Sequence, residues 1–155
     1  MTLSITRAVF DDPALVAFLQ AHLDDLAPTA PPESRHALDL TALQAPGVRL
    51  WTGHLDGVLV GTVALAALEP GHEELKSMRT EPAVRGRGVA AAMLAHAVDD
   101  ARSRGVRRIS LETGSMAFFE PARSLYRRHG FLDCPPFGSY VEDPNSVFLS
   151  LDLAQ

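Results

Sequence analysis

The chain has 155 residues, of which 46% are hydrophobic and 21% charged, and this size and composition predict one compact globular domain over residues 1–155. They exclude wholesale disorder, and no apolar run approaches the roughly 18–20 residues that cross a bilayer. Because the first residues also show no basic-then-apolar leader, we expect a cytoplasmic protein without a membrane partner.

The net charge of −5 is unevenly distributed. Residues 1–75 carry three basic and ten acidic side chains, residues 76–108 eight and three, and residues 109–155 three and six. The acidic total argues against a nucleic-acid partner, which requires a basic face, but the basic middle predicts one local anion partner. The arginines of 102–108 can be explained as the solvated end of a helix. Four other basic side chains need another account: Lys76, Arg79, Arg85 and Arg87.

The first part of the chain predicts a strand followed by two helices. Residues 2–8 alternate apolar and polar as a half-buried strand does. Asp11 or Asp12 before Pro13 predicts a helix start, and the helix should reach about residue 26. Its expected apolar face is Leu15, Phe18, Leu19 and Leu23. A second helix is predicted over 34–44, with Leu38 and either Ala42 or Leu43 facing inward.

The next segments predict an antiparallel meander. Residues 48–55 and 58–68 are expected strands, joined at Asp56-Gly57, a dipeptide typical of hairpins. A third strand is expected at about 73–80, and a glycine-rich turn follows over 82–88.

The last part of the chain predicts two more helices and three strands. A helix over 88–104 should bury Val89, Met93, Leu94, Ala97, Val98 and Ala101 and end at Gly105. A strand over 107–113 and a helix over 121–129, ending at Gly130, should follow. Two final strands are predicted at 137–142 and 146–153. This order places helices against a mixed sheet in one α/β (α+β) domain.

Residues 74–90 form the most informative segment. A strand leads into Arg85-Gly86-Arg87-Gly88 and then directly into a helix. Helix N-termini expose unpaired amides with partial positive charge, and glycine permits close backbone approach, so this turn is a candidate phosphate cradle. Two alternatives are that the glycines only make a tight turn, or that Gly86-x-Gly88-x-x-Ala91 binds a dinucleotide in an oxidoreductase. The dinucleotide pattern belongs on the first strand of a parallel unit, whereas here a meander precedes it.

Two sequence blocks resemble the GNAT superfamily of acetyl-CoA-dependent N-acetyltransferases. Residues 85–90 match the signature R/Q-x-x-G-x-G/A, and residues 122–131 match A-x-x-L-Y-x-x-x-G-F. The blocks lie in the family's order, with a helix and a strand between them, and the resemblance covers about residues 45–153. It implies a mixed, mostly antiparallel sheet of six to seven strands with about four helices and two splayed parallel central strands.

The resemblance also implies how acetyl-CoA binds. The pantetheine arm would pair with the open strand edge at Met78, Arg79 and Thr80, and the pyrophosphate would lie on the turn and the helix start. The turn residues are Arg85, Gly86, Arg87, Gly88, Val89 and Ala90.

The family's tyrosine corresponds to Tyr126, which would bind next to the cofactor and protonate the departing thiolate. Many relatives have asparagine seven residues earlier, where this chain has Phe119, so a hydrogen bond to pantetheine is missing there.

An amine acceptor with a pKa near 10 must lose a proton before or during its attack on the thioester. Glu74 is our candidate proton acceptor, directly or through water, while Glu73 is expected on the opposite strand face. A solvated edge position is the alternative for Glu74. The backbone N–H of Met78 or Arg79 would stabilise the oxyanion.

Several further residues are weaker candidates. Ser34 and His36 are candidates for the acceptor pocket, although Ser34 is equally suited to cap a helix. Tyr140, Glu142 and Asp143 lie in a loop that we expect to close over substrate. Cys134 is expected as a packed small hydrophobe and Trp51 as a strand core residue. The single cysteine and six histidines show no paired ligand spacing, so no metal site is predicted.

The sequence therefore predicts transfer of an acetyl group from acetyl-CoA to a primary amine of a small molecule or amino-acid-like acceptor, by direct attack in a ternary complex. A monomer or homodimer is expected. The alternatives are a non-catalytic acyl-CoA-binding regulatory domain and a dinucleotide-binding oxidoreductase.

Overall fold

The structure is a computed structural model that describes residues 2–29, 31 and 39–153. Its elements follow the predicted order of strands and helices. In chain order they are β1 (Leu3–Arg7), α1 (Pro13–Leu26), α2 (Leu40–Leu43), β2 (Val48–Leu55), β3 (Val58–Glu69), β4 (His72–Thr80), α3 (Val89–Ser103), β5 (Arg108–Gly114), α4 (Glu120–Arg128), β6 (Leu132–Asp133) and β7 (Ser146–Asp152). Two 3-10 turns, Pro82–Val84 and Ala117–Phe119, precede α3 and α4.

The strands form one 7-stranded sheet in the order β1-β2-β3-β4-β5-β7-β6. Every neighbouring pair is antiparallel except β4 and β5, which are parallel. The predicted mixed, mostly antiparallel sheet is confirmed.

The parallel strands β4 and β5 pair over only part of their length. Their register is His72 with Arg108, Glu73 with Ile109 and Glu74 with Ser110. Beyond these three pairs, the described strands continue over 75–80 and 111–114 without further pairing to each other. The predicted splay is therefore confirmed, and it opens directly after Glu74.

A β-bulge lies in the part of β4 that pairs with β3 but not with β5. Thr62 pairs with Arg79 and Ala64 with Lys76, so two residues of β4 oppose one residue of β3. Ser77 has a φ of 53°, and its carbonyl accepts a 2.8 Å hydrogen bond from the Thr62 hydroxyl. Because a bulge inserts one residue into the pleat, Met78 packs with the core beneath α3 while Arg79 faces α1.

The larger hydrophobic core lies between the sheet and α3. Met93, Leu94 and Ala97 are completely buried there. Close approach requires small residues in the strands: a Cβ added at Gly53 would lie 2.7 Å from the Met93 sulfur, and one at Gly61 would lie 3.1 Å from a Val89 methyl carbon. These glycines pair with each other. Together they allow the first half of α3 to pack closely against β2 and β3.

The opposite face of the sheet carries a smaller core beneath α1 and α2. Its buried members are Leu15, Leu19, Leu43, Leu50 and Ala64. Helix α1 begins as predicted, because the Asp12 carboxylate accepts a hydrogen bond from the Ala14 amide at 3.0 Å and Pro13 follows as the first helical residue.

The prediction of one continuous helix over 34–44 is wrong at Asp39, which is extended. Helix α2 begins at Leu40, because Asp39 is extended and its carboxylate caps the helix through the Ala42 amide at 2.8 Å. Leu43, and not Ala42, is the buried residue. The earlier part of the prediction, including Leu38, lies outside the described residues.

The predicted strand over 137–142 is also wrong, since the penultimate strand is β6. The segment instead crosses the sheet face, where the rings of Phe137 and Tyr140 lie 5.9 and 5.6 Å from that of Phe148. Pro135 and Pro136 precede it and have no amide hydrogen to donate to a neighbouring strand. Aromatic packing therefore replaces strand pairing in this segment.

None of the helices within the described ranges is both long and apolar enough to cross a bilayer.

Candidate active site

A cavity of about 390 Å³ lies where β4 and β5 separate. Its walls come from α1, from both splayed strands and from the segment that enters α4. Its lining side chains include His22, Glu74, Lys76, Glu112, Phe119 and Tyr126. Leu23, predicted as a core residue, is half-buried and lines this cavity as well.

Glu74 lies at the point where the strands separate, and its residue exposure is only 6%. Its Oε2 atom accepts a hydrogen bond from Lys76 Nζ at 3.1 Å and another from the Tyr140 hydroxyl. Lys76 Nζ also lies 3.0 Å from the Tyr140 oxygen. Glu74 is therefore a buried, ion-paired carboxylate, and the solvated-edge alternative is wrong.

Glu73 points away from this cavity, as the strand alternation predicts. Its two carboxylate oxygens accept hydrogen bonds of 2.8 and 2.9 Å from the Arg104 guanidinium at the end of α3. These bonds, followed by the contact with Asp100, raise the pKa of Arg104 above its ordinary value. Glu73 thus ties β4 to α3 and does not face the cavity.

Tyr126 reaches the cavity from α4 and is 6% exposed. Its ring packs against Phe131 with centroids 5.7 Å apart, and no hydrogen bond to its hydroxyl is present among the described residues. Burial raises the pKa of Tyr126 above its ordinary value. The phenol therefore keeps its proton at neutral pH and can donate a hydrogen bond.

Phe119 stands directly against the open end of β5. A Cβ added at Gly114 would lie only 2.0 Å from a Phe119 ring carbon, so glycine is required where the ring covers the strand. Many members of the resembled family have asparagine at this position, whereas this chain has the apolar ring of Phe119.

His22 is a cavity residue that the sequence analysis missed. Burial, followed by the nearby charge of Arg79, lowers its pKa to about 4, so the imidazole is neutral at pH 7. The available signal was its spacing, because His22 lies seven residues after Leu15 on the apolar face of α1.

Arg79 was predicted at the cofactor edge of β4, and its side chain turns towards α1. Its guanidinium donates a 2.7 Å hydrogen bond to Asp25, which lowers the pKa of that carboxyl, and it stacks on Phe18 at 5.3 Å. The backbone of Met78, Arg79 and Thr80 nevertheless lies on the β4 edge that β5 leaves open. The oxyanion role of the Met78 or Arg79 amide stays a prediction.

The loop before α3 has the conformation of an anion cradle. Gly86 and Gly88 have φ values of 82° and 80°, and a Cβ at either would meet no atom within 4 Å. Gly88 caps α3 without a side-chain hydrogen bond, so the first amides of the helix have no capping acceptor. Arg85 and Arg87 are exposed beside them, Val89 anchors the helix in the core, and Ala90 is half-buried. A phosphate group fits this arrangement.

The weaker candidates have different positions. Tyr140 is brought to the cavity through Glu74, whereas Glu142 is exposed and Asp143 accepts a 2.8 Å hydrogen bond from the Asn145 amide within its own loop. Ser34 and His36 lie outside the described residues.

The structure confirms the packing expectation for Trp51, whereas Cys134 is only half-buried. Trp51 is 3% exposed in the core. Burial raises the pKa of the Cys134 thiol, which makes it a poor nucleophile. Among the residues that the structure describes, no group of three or more His, Cys, Asp or Glu side chains could hold a metal ion.

The comparisons with known proteins agree with this geometry. The Acetyltransferase (GNAT) family model matches residues 9–131. The uncharacterized N-acetyltransferase YsnE of Bacillus subtilis is 46% identical over 139 residues, which cover 90% of this chain and 92% of YsnE.

Solved structures show the same fold. A candidate acyl-CoA N-acyltransferase of Klebsiella pneumoniae has a TM-score of 0.80 and 29% identity, with 98% of each chain covered. The PaiA N-acetyltransferase of Thermoplasma acidophilum, solved in complex with coenzyme A, has a TM-score of 0.75 and 13% identity, with 98% of this chain and 99% of that chain covered. The family match, the relatives and the splayed sheet lead to one conclusion: this chain belongs to the GNAT family of acetyltransferases.

Proposed function

We propose that this protein transfers an acetyl group from acetyl-CoA to a primary amine of a small molecule or amino-acid-like acceptor. The amine attacks the thioester directly in a ternary complex. One observation carries the proposal: Glu74 and Tyr126, from different elements, line the same cavity at the splay between β4 and β5. We further propose a cytoplasmic monomer or homodimer that binds neither nucleic acid nor membranes.

Two features support binding of acetyl-CoA. The uncapped N-terminus of α3 and the open turn at Gly86 and Gly88 suit the pyrophosphate, with Arg85 and Arg87 adding positive charge. The unpaired edge of β4 over 78–80 offers backbone groups to the amides of the pantetheine arm. Acetyl-CoA supplies an acetyl group activated as a thioester.

Glu74 is the proposed proton acceptor. An ammonium acceptor must lose a proton to expose the nitrogen lone pair, and that proton passes to the Glu74 carboxylate directly or through water. The amide of Met78 or Arg79, beside the bulge at Ser77, is the proposed donor to the oxyanion that forms on the acetyl carbonyl.

Tyr126 is proposed to act at the leaving thiolate. Its raised pKa keeps the hydroxyl protonated but also makes complete transfer of the proton costly. Its main contribution is therefore a hydrogen bond to the sulfur as negative charge develops there, with the proton following as the thiolate departs.

A pair of variants at Gly88 tests the cradle. Gly88→Asp adds a carboxylate against the diphosphate, whereas Gly88→Asn adds a side chain of the same shape without charge, and both residues tolerate the left-handed backbone. We expect Gly88→Asp to raise the acetyl-CoA dissociation constant at least about tenfold above that of Gly88→Asn by calorimetric titration. Equal constants for the two variants would contradict the cradle.

A panel of amines and amino acids, assayed for release of free thiol from acetyl-CoA, tests the reaction itself. We expect turnover with at least one class of primary amine, together with thermal stabilisation by acetyl-CoA and CoA but not by NADPH. Stabilisation by CoA without turnover on any amine would favour a regulatory domain that binds acyl-CoA.

A further inference from the structure

The two side chains that donate to Glu74 lie far apart from each other in the sequence. Lys76 lies two residues away on β4, whereas Tyr140 lies 66 residues away in the segment that crosses the sheet face. Both donate to the same carboxylate oxygen, and Lys76 also donates to the Tyr140 oxygen at 3.0 Å. The three groups form a closed triangle in which Glu74 is the only carboxylate.

A buried carboxylate needs such donors to remain charged. The side chains of Glu74 and Lys76 are only 8% and 10% exposed, so water does little to stabilise either charge. An ammonium and a hydroxyl directed at one oxygen supply the lost solvation. This matters for the reaction because only the ionised carboxylate can accept a proton.

The position of Tyr140 is fixed independently of the triangle. Its ring packs against Phe137 at 5.1 Å and Phe148 at 5.6 Å between centroids, and Lys76 Nζ lies 5.7 Å from its ring centre. Burial, the hydrogen bond to Glu74 and the nearby carboxylate charges raise the pKa of Tyr140. The hydroxyl therefore stays protonated and acts as a donor to Glu74.

We propose that Tyr140 and Lys76 are positioning residues that hold Glu74 ionised and aimed into the cavity for removal of the acceptor's proton. The inference rests on the proposed function, in which Glu74 is the proton acceptor. The titratable groups that face the cavity beside this triangle come from α1, β5 and α4; they are His22, Glu112 and Tyr126.

The first test is the pH dependence of kcat/KM for the amine. Tyr140→Phe keeps the aromatic packing and removes the hydroxyl that donates to Glu74 and accepts from Lys76, so the acid limb should move about one pH unit upward, and Lys76→Met should move it further. The KM for acetyl-CoA should not change. Tyr126→Phe should lower kcat about tenfold or more without moving the acid limb.

The second test needs no turnover. In protein with ¹³C-labelled glutamate carboxyl groups, the Glu74 resonance is assigned by its loss in Glu74→Gln. Its titration midpoint should rise in Tyr140→Phe and rise further in Lys76→Met. Val141→Ala, at a 75% exposed position in the same segment, is the matched control and should match the unaltered protein.

The two tests separate the possible failures. If the unaltered protein acetylates amines but neither the acid limb nor the Glu74 midpoint moves in Tyr140→Phe and Lys76→Met, the positioning role is wrong. If the midpoint moves but no amine is acetylated, the electrostatic role of the triangle stands and the proposed reaction fails.

Discussion

The two faces of the central sheet are built from different kinds of residue. The face beneath α3 is filled by Met93, Leu94 and Ala97, which are completely buried and apolar. The face towards α1 buries several polar side chains of the strands: Thr52, Thr62, His72, Glu74 and Ser110. Thr62, Glu74 and Ser110 have hydrogen-bond partners that offset the cost of burying them. Because a net hydrogen bond contributes less than a buried apolar side chain, we expect this face to add less to stability. The comparison indicates that the α3 face mainly maintains the fold, while the α1 face holds the proposed proton acceptor Glu74; Tyr126 reaches the cavity from the core beneath α3.

The largest effect should follow from a cavity on the apolar face. Leu94→Ala removes a completely buried side chain, and the free energy of unfolding should fall by about 3 kcal/mol in urea titrations. Turnover per folded molecule should not change. Val58→Ala, at a 62% exposed position, is the control and should change stability by no more than about 0.5 kcal/mol. If Leu94→Ala lost turnover but kept its full stability, the conclusion that the α3 face is mainly structural would be wrong.

The matching variant on the polar face removes the buried charges together. Glu74→Gln/Lys76→Met eliminates both members of the ion pair, so neither is left uncompensated, and the free energy of unfolding should stay near that of the unaltered protein or rise. Activity should fall about 10²-fold or more, because the proton acceptor is lost. A loss of stability like that of Leu94→Ala, with activity retained, would show that this pair supports the fold and not the reaction.

A smaller effect is expected from His22 on acidification. The folded protein holds the imidazole neutral down to about pH 4, while the unfolded chain binds a proton below about pH 6.5. Stability should therefore fall as the pH drops through this window. His22→Gln should reduce that fall by about 2 kcal/mol between pH 7 and pH 4, measured by urea titration at several pH values. An unchanged pH dependence would mean that His22 is charged or solvated in the fold.

Local patterns in the sequence predicted most of the fold. The hairpin at Asp56-Gly57, the end of α4 before Gly130 and the anion turn before α3 each depend on a few adjacent residues, whose backbone preferences act at short range. The splay between the parallel strands was predicted only through the family resemblance, since no local pattern marks where pairing stops.

The failures arose where distant residues decide the outcome. The sequence predicts a strand over 137–142, but the rings of Phe137 and Tyr140 pack on Phe148 and the Tyr140 hydroxyl donates to Glu74. Likewise, the sequence identified Glu74 as a candidate. It could not predict the contact of Glu74 with Tyr140, because 66 residues separate the two. The sequence did not predict that Asp39 caps α2: its carboxylate accepts a hydrogen bond from the Ala42 amide, so this helix begins at Leu40.

The bulge at Ser77 reverses the inside-outside alternation for the rest of β4. Counting every second residue from Leu75 would assign Ser77 and Arg79 to the core beneath α3, yet Met78 occupies that core and Arg79 pairs with Asp25 on the other side. A β4 strand that kept strict alternation through all its residues would exchange the surroundings of the methionine and the arginine. Deleting Ser77 alone would instead restore a regular pleat and leave Met78 and Arg79 on the faces that they now occupy.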